Sequence, residues 1–356
     1  MNPYLALLAL LLMASTLLLL PLTPALVELR RKSDAKPLNV IQQHAGEIRY
    51  FVEGFRSYLK SLETALRDGV GSGTSTSGTL PDGTDYLVAG LGEEGCALPL
   101  NKREQLCPVL IAACTDLVLP TETTFSKEIY ALGHVTGGGK DRCRAILGEK
   151  DVHLGGESSI LRWAHAVGEF HADENCGLYG RVSSDRALFL KRGCRFQRLN
   201  APRIEIGTQT RNASGRNGDP AVPADSRMRQ RLLLDGDFVV GPEETFYGNL
   251  VVRGSLQIGA GARLLGSIKG NKNVVLEDRV SVQGSLISAQ AMQIGRDCTI
   301  HGPVIAERFV QIESGTRCGS TDRPTTVSAP WIEVEEGVVV FGTLWAREHG
   351  RVVERS

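Results

Sequence analysis

Apolar residues recur at a fixed spacing in the C-terminal part of the chain. Ile258, Leu276, Ile294 and Ile312 follow one another at a constant interval of 18. Within each interval, apolar or small residues occupy every sixth position: Val240, Phe246, Val252, Ile258, Leu264, Gly270, Leu276, Val282, Ser288, Ile294, Ile300, Ala306, Ile312 and Cys318. A period of 18 with a subperiod of six predicts a three-sided coil with one short strand on each side. We therefore predict a mainly β protein built on a parallel β-helix, a triangular solenoid of about 18 residues per coil.

A second set of positions tests the triangular coil. The side chain four positions after an inward aliphatic residue should also point inward. It lies near a corner of the coil, where there is little room for a large side chain. On one side these residues are small or β-branched: Ala262, Val280, Cys298 and Thr316. On another side the first position is small and the later one large, with Leu256, Val274, Met292 and Val310 in the later position. Large residues opposite small ones fill a narrow interior without voids.

The same spacing appears upstream and predicts a tandem duplication. The inward positions there are Leu154, Ile160, Ala166, Ala172, Leu178, Ser184, Leu190 and Phe196, with Ala166, Ser184 and Pro202 on the small side. Three segments align in order between the halves: 117–133 with 238–254, 175–182 with 297–304, and 200–206 with 328–334. We predict a first β-helix half over 117–207, a polar loop over 208–230, a second half over 231–320, and a strand-rich extension or cap over 321–356.

The glycines of residues 254–270 look at first like a nucleotide-binding loop. The dinucleotide fingerprint requires a third glycine and a following amphipathic helix, but position 264 is leucine and no helical period follows. We predict instead that Gly259 and Gly261 lie at a corner of a coil, where glycine permits the tight turn.

Residues 1–27 carry no charged side chain and form a stretch long enough to cross a bilayer as a helix. Arg30, Arg31, Lys32 and Lys36 follow, and basic residues favour the cytoplasmic side. We predict a single-pass transmembrane anchor over 1–27, with the bulk of the chain cytoplasmic at a bacterial inner membrane. A cleaved signal peptide is the alternative, and Pro21 and Pro24 would then mark the cleavage region.

Residues 28–67 are predicted to form a basic flank and an amphipathic helix. The apolar residues of this helix follow 4-3-4-3-4 spacing: Ile48, Val52, Phe55, Leu59, Leu62 and Leu66. Such a stripe packs either on its own domain or on a second copy of itself. The composition of residues 68–84 predicts a flexible linker, and residues 85–116 receive no assignment.

Composition narrows the function classes. Forty basic and forty acidic residues leave no net charge, so the chain lacks the basic footprint of a nucleic-acid-binding protein. Eight cysteines show no paired CxxC spacing of a zinc site. Cys176 and Cys194 are separated by one full period of the repeat, and Cys298 takes the matching position in the second half. These positions are inward, so we predict buried thiols rather than a disulfide.

Histidines are the candidates for chemistry. His153 and His171 are also one period apart and should stack on neighbouring coils, with His165 in the same phase one side earlier. Together with Asp173 or Glu174 they would suit a metal, but the second half has Val275, Ile287 and Gln293 in those positions. A solvated histidine ladder is the preferred interpretation, and we predict no metal site and no cofactor.

His301 invites comparison with hexapeptide-repeat acyltransferases, triangular solenoids that use a histidine as general base. The repeats resemble that class in period and in aliphatic–glycine steps such as Ile258-Gly259. No partner for His301 is recognisable, and Tyr179 takes its place in the first half. We therefore predict that the protein is not an enzyme, with an acyltransferase or an inactive relative as the alternative.

Residues 248–307, taken with the anchor and the linker, resemble the bactofilins, polymer-forming bacterial cytoskeletal proteins. The resemblance implies a β-helix that associates with the membrane and polymerises end to end, in cell shape or envelope organisation. The chain departs from that pattern in its full transmembrane span, its duplicated solenoid and its C-terminal extension, which would block polymerisation if it caps an end.

The sequence thus predicts a non-enzymatic, membrane-anchored scaffold. Its expected partners are the membrane, a second copy through the β-helix ends, and envelope-synthesis proteins, but no nucleic acid. An extracytoplasmic polysaccharide-binding module is a further alternative, in which the solenoid lies outside the membrane.

Overall fold

The computed structural model of the chain describes residues 3–20, 23, 46–90, 98–101, 104–207 and 231–354. The chain divides into two compact units, Met1–His44 and Ala45–Ser356. The predicted polar loop, residues 208–230, lies outside the described residues.

Helices occur only in the N-terminal part of the described chain. They are α1 Pro3–Leu19, α2 Gly46–Leu59, a 3-10 turn Lys60–Leu62, and α3 Glu63–Ser72. Within the described residues, the search for a helix both long and apolar enough to cross a bilayer finds none; α1 has 17 residues. The transmembrane helix predicted over 1–27 is therefore not confirmed.

The first part of the solenoid contains fourteen strands. They are β1 Thr76–Thr79, β2 Asp85–Ala89, β3 Leu106–Cys107, β4 Leu110–Ala113, β5 Leu117–Val118, β6 Thr124–Ala131, β7 Val135–Thr136, β8 Arg142–Gly148, β9 Val152–Leu154, β10 Ser159–Ala166, β11 Phe170–Ala172, β12 Gly177–Ser184, β13 Leu188–Leu190 and β14 Arg195–Ile206. We call this part the first solenoid. One strand per side was expected, but β6, β8, β10 and β12 each bend around a corner and cover two sides.

The remaining strands form the second solenoid. They are β15 Arg231–Leu234, β16 Phe238–Val240, β17 Thr245–Tyr247, β18 Asn249–Val252, β19 Leu256–Ile258, β20 Arg263–Leu265, β21 Ile268–Gly270, β22 Val274–Leu276, β23 Ser281–Val282, β24 Leu286–Ser288, β25 Ala291–Ile294, β26 Thr299–Ile300, β27 Val304–Ala306, β28 Phe309–Ile312, β29 Arg317–Cys318, β30 Thr325–Glu335 and β31 Val339–Val353. Three short strands make each coil up to β29, as predicted.

Parallel pairing between successive coils confirms the predicted solenoid. Ile258 pairs with Leu276, Leu276 with Ile294, and Ile294 with Ile312, so each member of the series meets its counterpart on the next coil. The two solenoids together contain about 12 coils of about 18 residues. Residues 321–356, predicted as an extension or cap, contain β30 and β31, which continue the second solenoid by parallel pairing.

The inward positions predicted from the sixfold spacing form the core. Of the second-solenoid set, all are buried except Phe246, which is half-buried against the core. In the first solenoid, Pro202 is exposed although it was expected to point inward, and Ala201 is buried in its place. The reason is a shift in register: Val182 pairs with Leu199 rather than with Asn200, because an irregularity separates this stretch from the preceding pairs.

One corner of the coil repeats a left-handed backbone conformation. In the second solenoid the residues with positive φ at this corner are Glu243, Gly261, Arg279, Asp297 and Gly315. Gly261 has φ of +71°, which confirms its predicted place at a tight corner. A Cβ on Gly259 would lie 2.5 Å from the backbone nitrogen of Pro242 on the preceding coil, so this glycine allows close approach of two coils.

The two solenoids meet through their last coils. Strand β14, the end of the first solenoid, pairs antiparallel with β31, the end of the second, and Leu199 lies opposite Leu344. Both leucines are buried, and a single apolar core runs through both solenoids. The unit Ala45–Ser356 is therefore a rod in which the coils run in opposite directions on the two sides of the joint.

The amphipathic helix packs on the first solenoid, one of the two arrangements left open by its sequence. Val52, Phe55, Leu59 and Leu62 are buried against the outer faces of β2, β4, β6 and β8. Residues 68–84, predicted as a flexible linker, instead hold the end of α3, strand β1 and the buried Leu80. Composition alone does not register the pairing of β1 with β2.

Candidate interaction surfaces

The first coil of the second solenoid has an open edge. Strands β15, β16 and β17 pair with β18, β19 and β20 on the next coil. On their other side, no strand of the described chain pairs with them. Backbone groups of an unpaired strand are a template for pairing with another chain.

The orientation of this edge follows from the hydrogen bonds of β16. Phe238 donates its N–H to Ser255 O at 2.9 Å, and Val240 O accepts the N–H of Gly259 at 2.9 Å. Backbone groups alternate in direction along a strand. The N–H and C=O of Val239 therefore point away from the solenoid, toward the open edge.

Apolar side chains surround the same edge. Leu234, Phe238 and Phe246 are partly buried against the last layer of the core. Leu233 is 52% exposed and Val239 is 62% exposed. An open strand edge with apolar side chains around it is a surface that other protein segments can bind.

The opposite end of the rod is built differently. There β2 runs parallel to β4, and β1 pairs antiparallel with β2, which adds a hairpin to the outermost coil. Leu98, Leu100 and Val109 pack against the core at this end. The two ends of the rod are thus chemically distinct, although both are N-terminal ends of a solenoid.

The helix on the first solenoid lies along the axis of the rod. Its contacts progress from coil to coil: the Arg181 guanidinium lies 4.7 Å from the Phe51 ring centre, the rings of Phe55 and Trp163 are 5.3 Å apart, and Cys114 Sγ lies 3.4 Å from Leu66 O. These partners lie on or directly after β12, β10 and β4.

An ion pair and a buried tyrosine reinforce the docked helix. Arg56 donates two hydrogen bonds to the Glu149 carboxylate, at 2.8 and 3.2 Å. Burial, with the nearby Glu149 carboxylate, raises the pKa of Tyr130 to about 12.

The histidine ladder predicted for His153 and His171 is present. His153 pairs with His171 on the next coil, and their ring centres are 5.8 Å apart. Phe189 continues the stack, 4.6 Å from His171. His165 lies apart from this ladder: it is buried, and its Nδ1 is 2.8 Å from Ser183 Oγ.

Carboxylates already accompany the two ladder histidines. His153 Nε2 lies 3.1 Å from Asp173, and His171 Nε2 lies 3.1 Å from Glu169. Burial raises the pKa of Asp173, but hydrogen bonds from Lys191 and His153 outweigh it and hold the pKa below its ordinary value. Within the described residues, no cluster of three or more ligands suited to a metal is formed.

The seven cysteines described by the structure are all buried and unpaired, in agreement with the inward positions predicted for Cys176, Cys194 and Cys298. Burial raises the pKa of Cys298 to about 11 and that of Cys318 to about 12. Thiols that stay protonated are poor nucleophiles and poor metal ligands. These side chains act as small apolar groups of the core.

His301 occupies a half-buried position next to β26, and its backbone N–H donates to Val282 O at 2.9 Å. This bond belongs to the regular ladder between neighbouring coils. Its coil has short corners on both sides, with Gly302 close to Gly284 of the preceding coil.

Comparison with known proteins gives no relative. No family model, curated protein or solved structure matches the chain. The assignment of function therefore depends on the surfaces of the molecule.

The sequence predicted association through the β-helix ends, but it identified neither the joint between the solenoids nor which end is open. The joint between β14 and β31 and the open edge at β15 to β17 depend on how the two solenoids are oriented. A repeating inward pattern is the same whichever way a solenoid points, so the spacing of apolar residues carries no signal for either surface. Exposed apolar residues in the first coil, such as Leu233 and Val239, were the available hint.

Proposed function

We propose that the protein is a non-enzymatic, membrane-anchored scaffold related to the bactofilins. In this proposal residues 1–27 anchor the chain in the bacterial inner membrane, and the solenoids lie on the cytoplasmic side. The rod associates with a second copy through one end and recruits partners for cell shape or envelope organisation.

The open edge of the second solenoid is the observation that carries this proposal. In the joint between β14 and β31, the C-terminal coil of each solenoid pairs with that of the other. Association through the ends of the rod would therefore use the N-terminal coils. Of these two coils, the one at β15 to β17 has outward backbone groups and exposed apolar side chains. Antiparallel pairing of two such edges would repeat the geometry that the joint already uses within one chain.

Replacing Val239 with proline tests the association. Proline removes the outward N–H of Val239, while the inward bonds of Phe238 and Val240 do not involve residue 239. We expect the purified full-length chain to form dimers or larger assemblies in light scattering, and Val239→Pro to weaken them about tenfold or more. Val239→Thr keeps the N–H and the β-branched shape and should assemble like the wild type.

Two results would overturn the self-association. One is a wild-type chain that stays monomeric at every concentration tested. The other is a Val239→Pro variant that assembles as well as Val239→Thr while both melt at the same temperature. Electron microscopy of the wild-type assemblies then shows whether the rods join at their ends.

A further inference from the structure

One flat side of the rod, which we call side A, runs through both solenoids. In the second solenoid it consists of β15, β18, β21, β24 and β27, and in the first of β2, β4 and the later parts of β6, β8, β10 and β12. Because Leu199 of β14 pairs with Leu344 of β31, side A continues through the joint.

On the first solenoid, side A carries an apolar column that the helix covers. Ala112, Tyr130 and Leu147 face outward on successive coils and pair directly with one another. All three are buried, because Phe55 and Leu59 pack in the same cluster. The amphipathic helix, together with Leu80, covers this outward column.

On the second solenoid, the matching column is apolar except for Lys269, and no described helix covers it. Its members pair in register from coil to coil: Leu233, Val251, Lys269, Ile287 and Ile305. Leu233 is 52% exposed and Ile305 is 37% exposed, and Val251 and Ile287 are half-buried. In the described chain, the helices contribute to the apolar cluster on the first solenoid and not to this column.

The column matches the covered one at Leu233, which corresponds to Ala112, and at Val251, which corresponds to Tyr130, whereas Lys269 takes the place of Leu147. The aligned segments 117–133 and 238–254 place Tyr130 on Val251. The backbone agrees: Glu149 N donates to Ala131 O, and Asn271 N donates to Val252 O in the matching place of the second solenoid. The second half therefore has apolar outward residues at Leu233 and Val251 as the first has at Ala112 and Tyr130, while the described helices cover only the first half.

The dimensions suit a helix laid along the axis. Coils repeat at about 4.8 Å, close to the 5.4 Å pitch of an α-helix, so each helical turn meets about one coil. On the first solenoid, Phe51 and Phe55 follow this rule, with contacts to β12 and β10. From Leu233 to Ile305 the column spans about 19 Å, the length of roughly 13 helical residues.

The charge around the column has the opposite sign to that on the first solenoid. There, Glu149 receives Arg56 of the helix, whereas Asn271 takes the place of Glu149 in the second solenoid. Lys269 lies within the column and Lys272 and Arg308 lie beside it; all three are exposed, and within the described residues no ion pair involves them. The acidic neighbours Asp235 and Glu307 are paired with Arg253 and Arg347. A helix that docks here is favoured by acidic rather than basic flanks.

We propose that side A of the second solenoid binds an amphipathic α-helix of a partner protein, with apolar residues at i, i+4 and i+7 and acidic residues beside them. This deepens the proposed scaffold function by naming the class of partner, and it uses a different surface from the open edge.

Two labelled peptides test the proposal. The first has the sequence of residues 46–62, and the second is the same peptide with Arg49→Glu, Arg56→Glu and Lys60→Glu. We expect the acidic peptide to bind the full-length chain in fluorescence anisotropy and to gain helical circular dichroism. The unmodified peptide should bind about tenfold more weakly or worse.

Three variants locate the site. Val251→Glu places a carboxylate in the column and should weaken the acidic peptide about tenfold or more. Val275→Glu is the matched control, because Val275 is also a half-buried outward valine, on β22 of another side. It should leave binding unchanged. Lys269→Glu should weaken the acidic peptide and strengthen the unmodified one.

The outcomes separate this proposal from self-association. Val239→Pro should bind the acidic peptide like the wild type, whether or not the rods assemble. Equal loss in Val251→Glu and Val275→Glu, or no binding by the acidic peptide, would overturn the proposal. Tighter binding of the unmodified peptide would overturn it too, since the column would then accept the helix of a second copy.

Discussion

At the scale of single residues, the corners of the coil carry the strongest local constraints. The left-handed corner accepts glycine at Gly261 and Gly315, but also Glu243, Arg279 and Asp297. A positive φ disfavours side chains, and β-branched ones most. The corner thus tolerates unbranched residues because the hydrogen bonds on both sides of it hold the turn, as in the bond from Gly261 N to Asp278 O.

Substitutions at Gly261 measure this constraint. A Cβ added there meets the carboxylate end of Glu243, a flexible group that can move aside, so the cost is mainly that of the backbone conformation. We expect Gly261→Val to lower the free energy of unfolding by about 2 kcal/mol and Gly261→Asn by less than about 1 kcal/mol. Urea denaturation of both variants provides the measurement. Equal losses would show that steric contact, not φ, sets the cost.

Burial of individual residues was predictable where every coil has the same length. Ile258 to Ile312 pair at the constant interval of the repeat, and the sixfold count gives their direction correctly. It gives the wrong direction at Pro202, because the pairing of Val182 with Leu199 moves the side chains of this stretch by one place. Such an irregularity depends on backbone geometry at a corner and leaves no mark in the apolar pattern.

At the scale of elements, α2 shows what periodicity can and cannot settle. Its apolar spacing predicted a helix, and the helix is present. The same stripe suits pairing with a second copy or packing on the solenoid, since both bury one apolar face. The outward residues Tyr130, Leu147 and Trp163 of the strands decide between these two arrangements, because they give the helix an apolar surface on its own solenoid.

Removing the Phe55 ring should release the helix without unfolding the rod. Phe55 is buried against Trp163, so Phe55→Ala should lower the free energy of local opening by about 2 kcal/mol or more. Amide exchange would then accelerate in residues 50–62 and stay slow in β22 to β28.

Arg56→Gln serves as the control for Phe55→Ala. The ion pair between Arg56 and Glu149 is partly exposed, and its loss should change the opening free energy by about 1 kcal/mol at most. Unchanged exchange of the helix in Phe55→Ala would contradict its docking through this ring.

At the scale of the whole molecule, the antiparallel joint makes one rod out of two repeats. The sequence predicted both repeats and their order along the chain. It did not predict their relative direction, because pairing of β14 with β31 depends on two edges that are far apart in sequence. Leu199 opposite Leu344 completes the core there, and Asn200 Nδ2 donates to Thr343 Oγ1 at 2.9 Å.

Cleaving the connection between the solenoids should leave them bound to each other. We expect a protease site introduced within 208–230 to yield two fragments that co-elute in size-exclusion chromatography under native conditions. The joint buries apolar residues on both sides and pairs two long strands, so it resembles the interior of a domain.

Leu199→Asp provides the comparison for the cleaved chain. It places a carboxylate opposite Leu344 in the core of the joint, and the cleaved fragments of this variant should separate. If the wild-type fragments separated without denaturant, the joint would not be the interaction that holds the two solenoids together.

The joint also sets an order of events during synthesis. Strand β14 ends at Ile206, whereas its partner β31 ends at Val353, close to the last residue of the chain. At about 5–20 residues per second, the ribosome needs roughly 7–30 s to make the intervening sequence. Throughout that time the finished first solenoid carries an unmatched edge, and neighbouring nascent chains on the same messenger RNA compete for it.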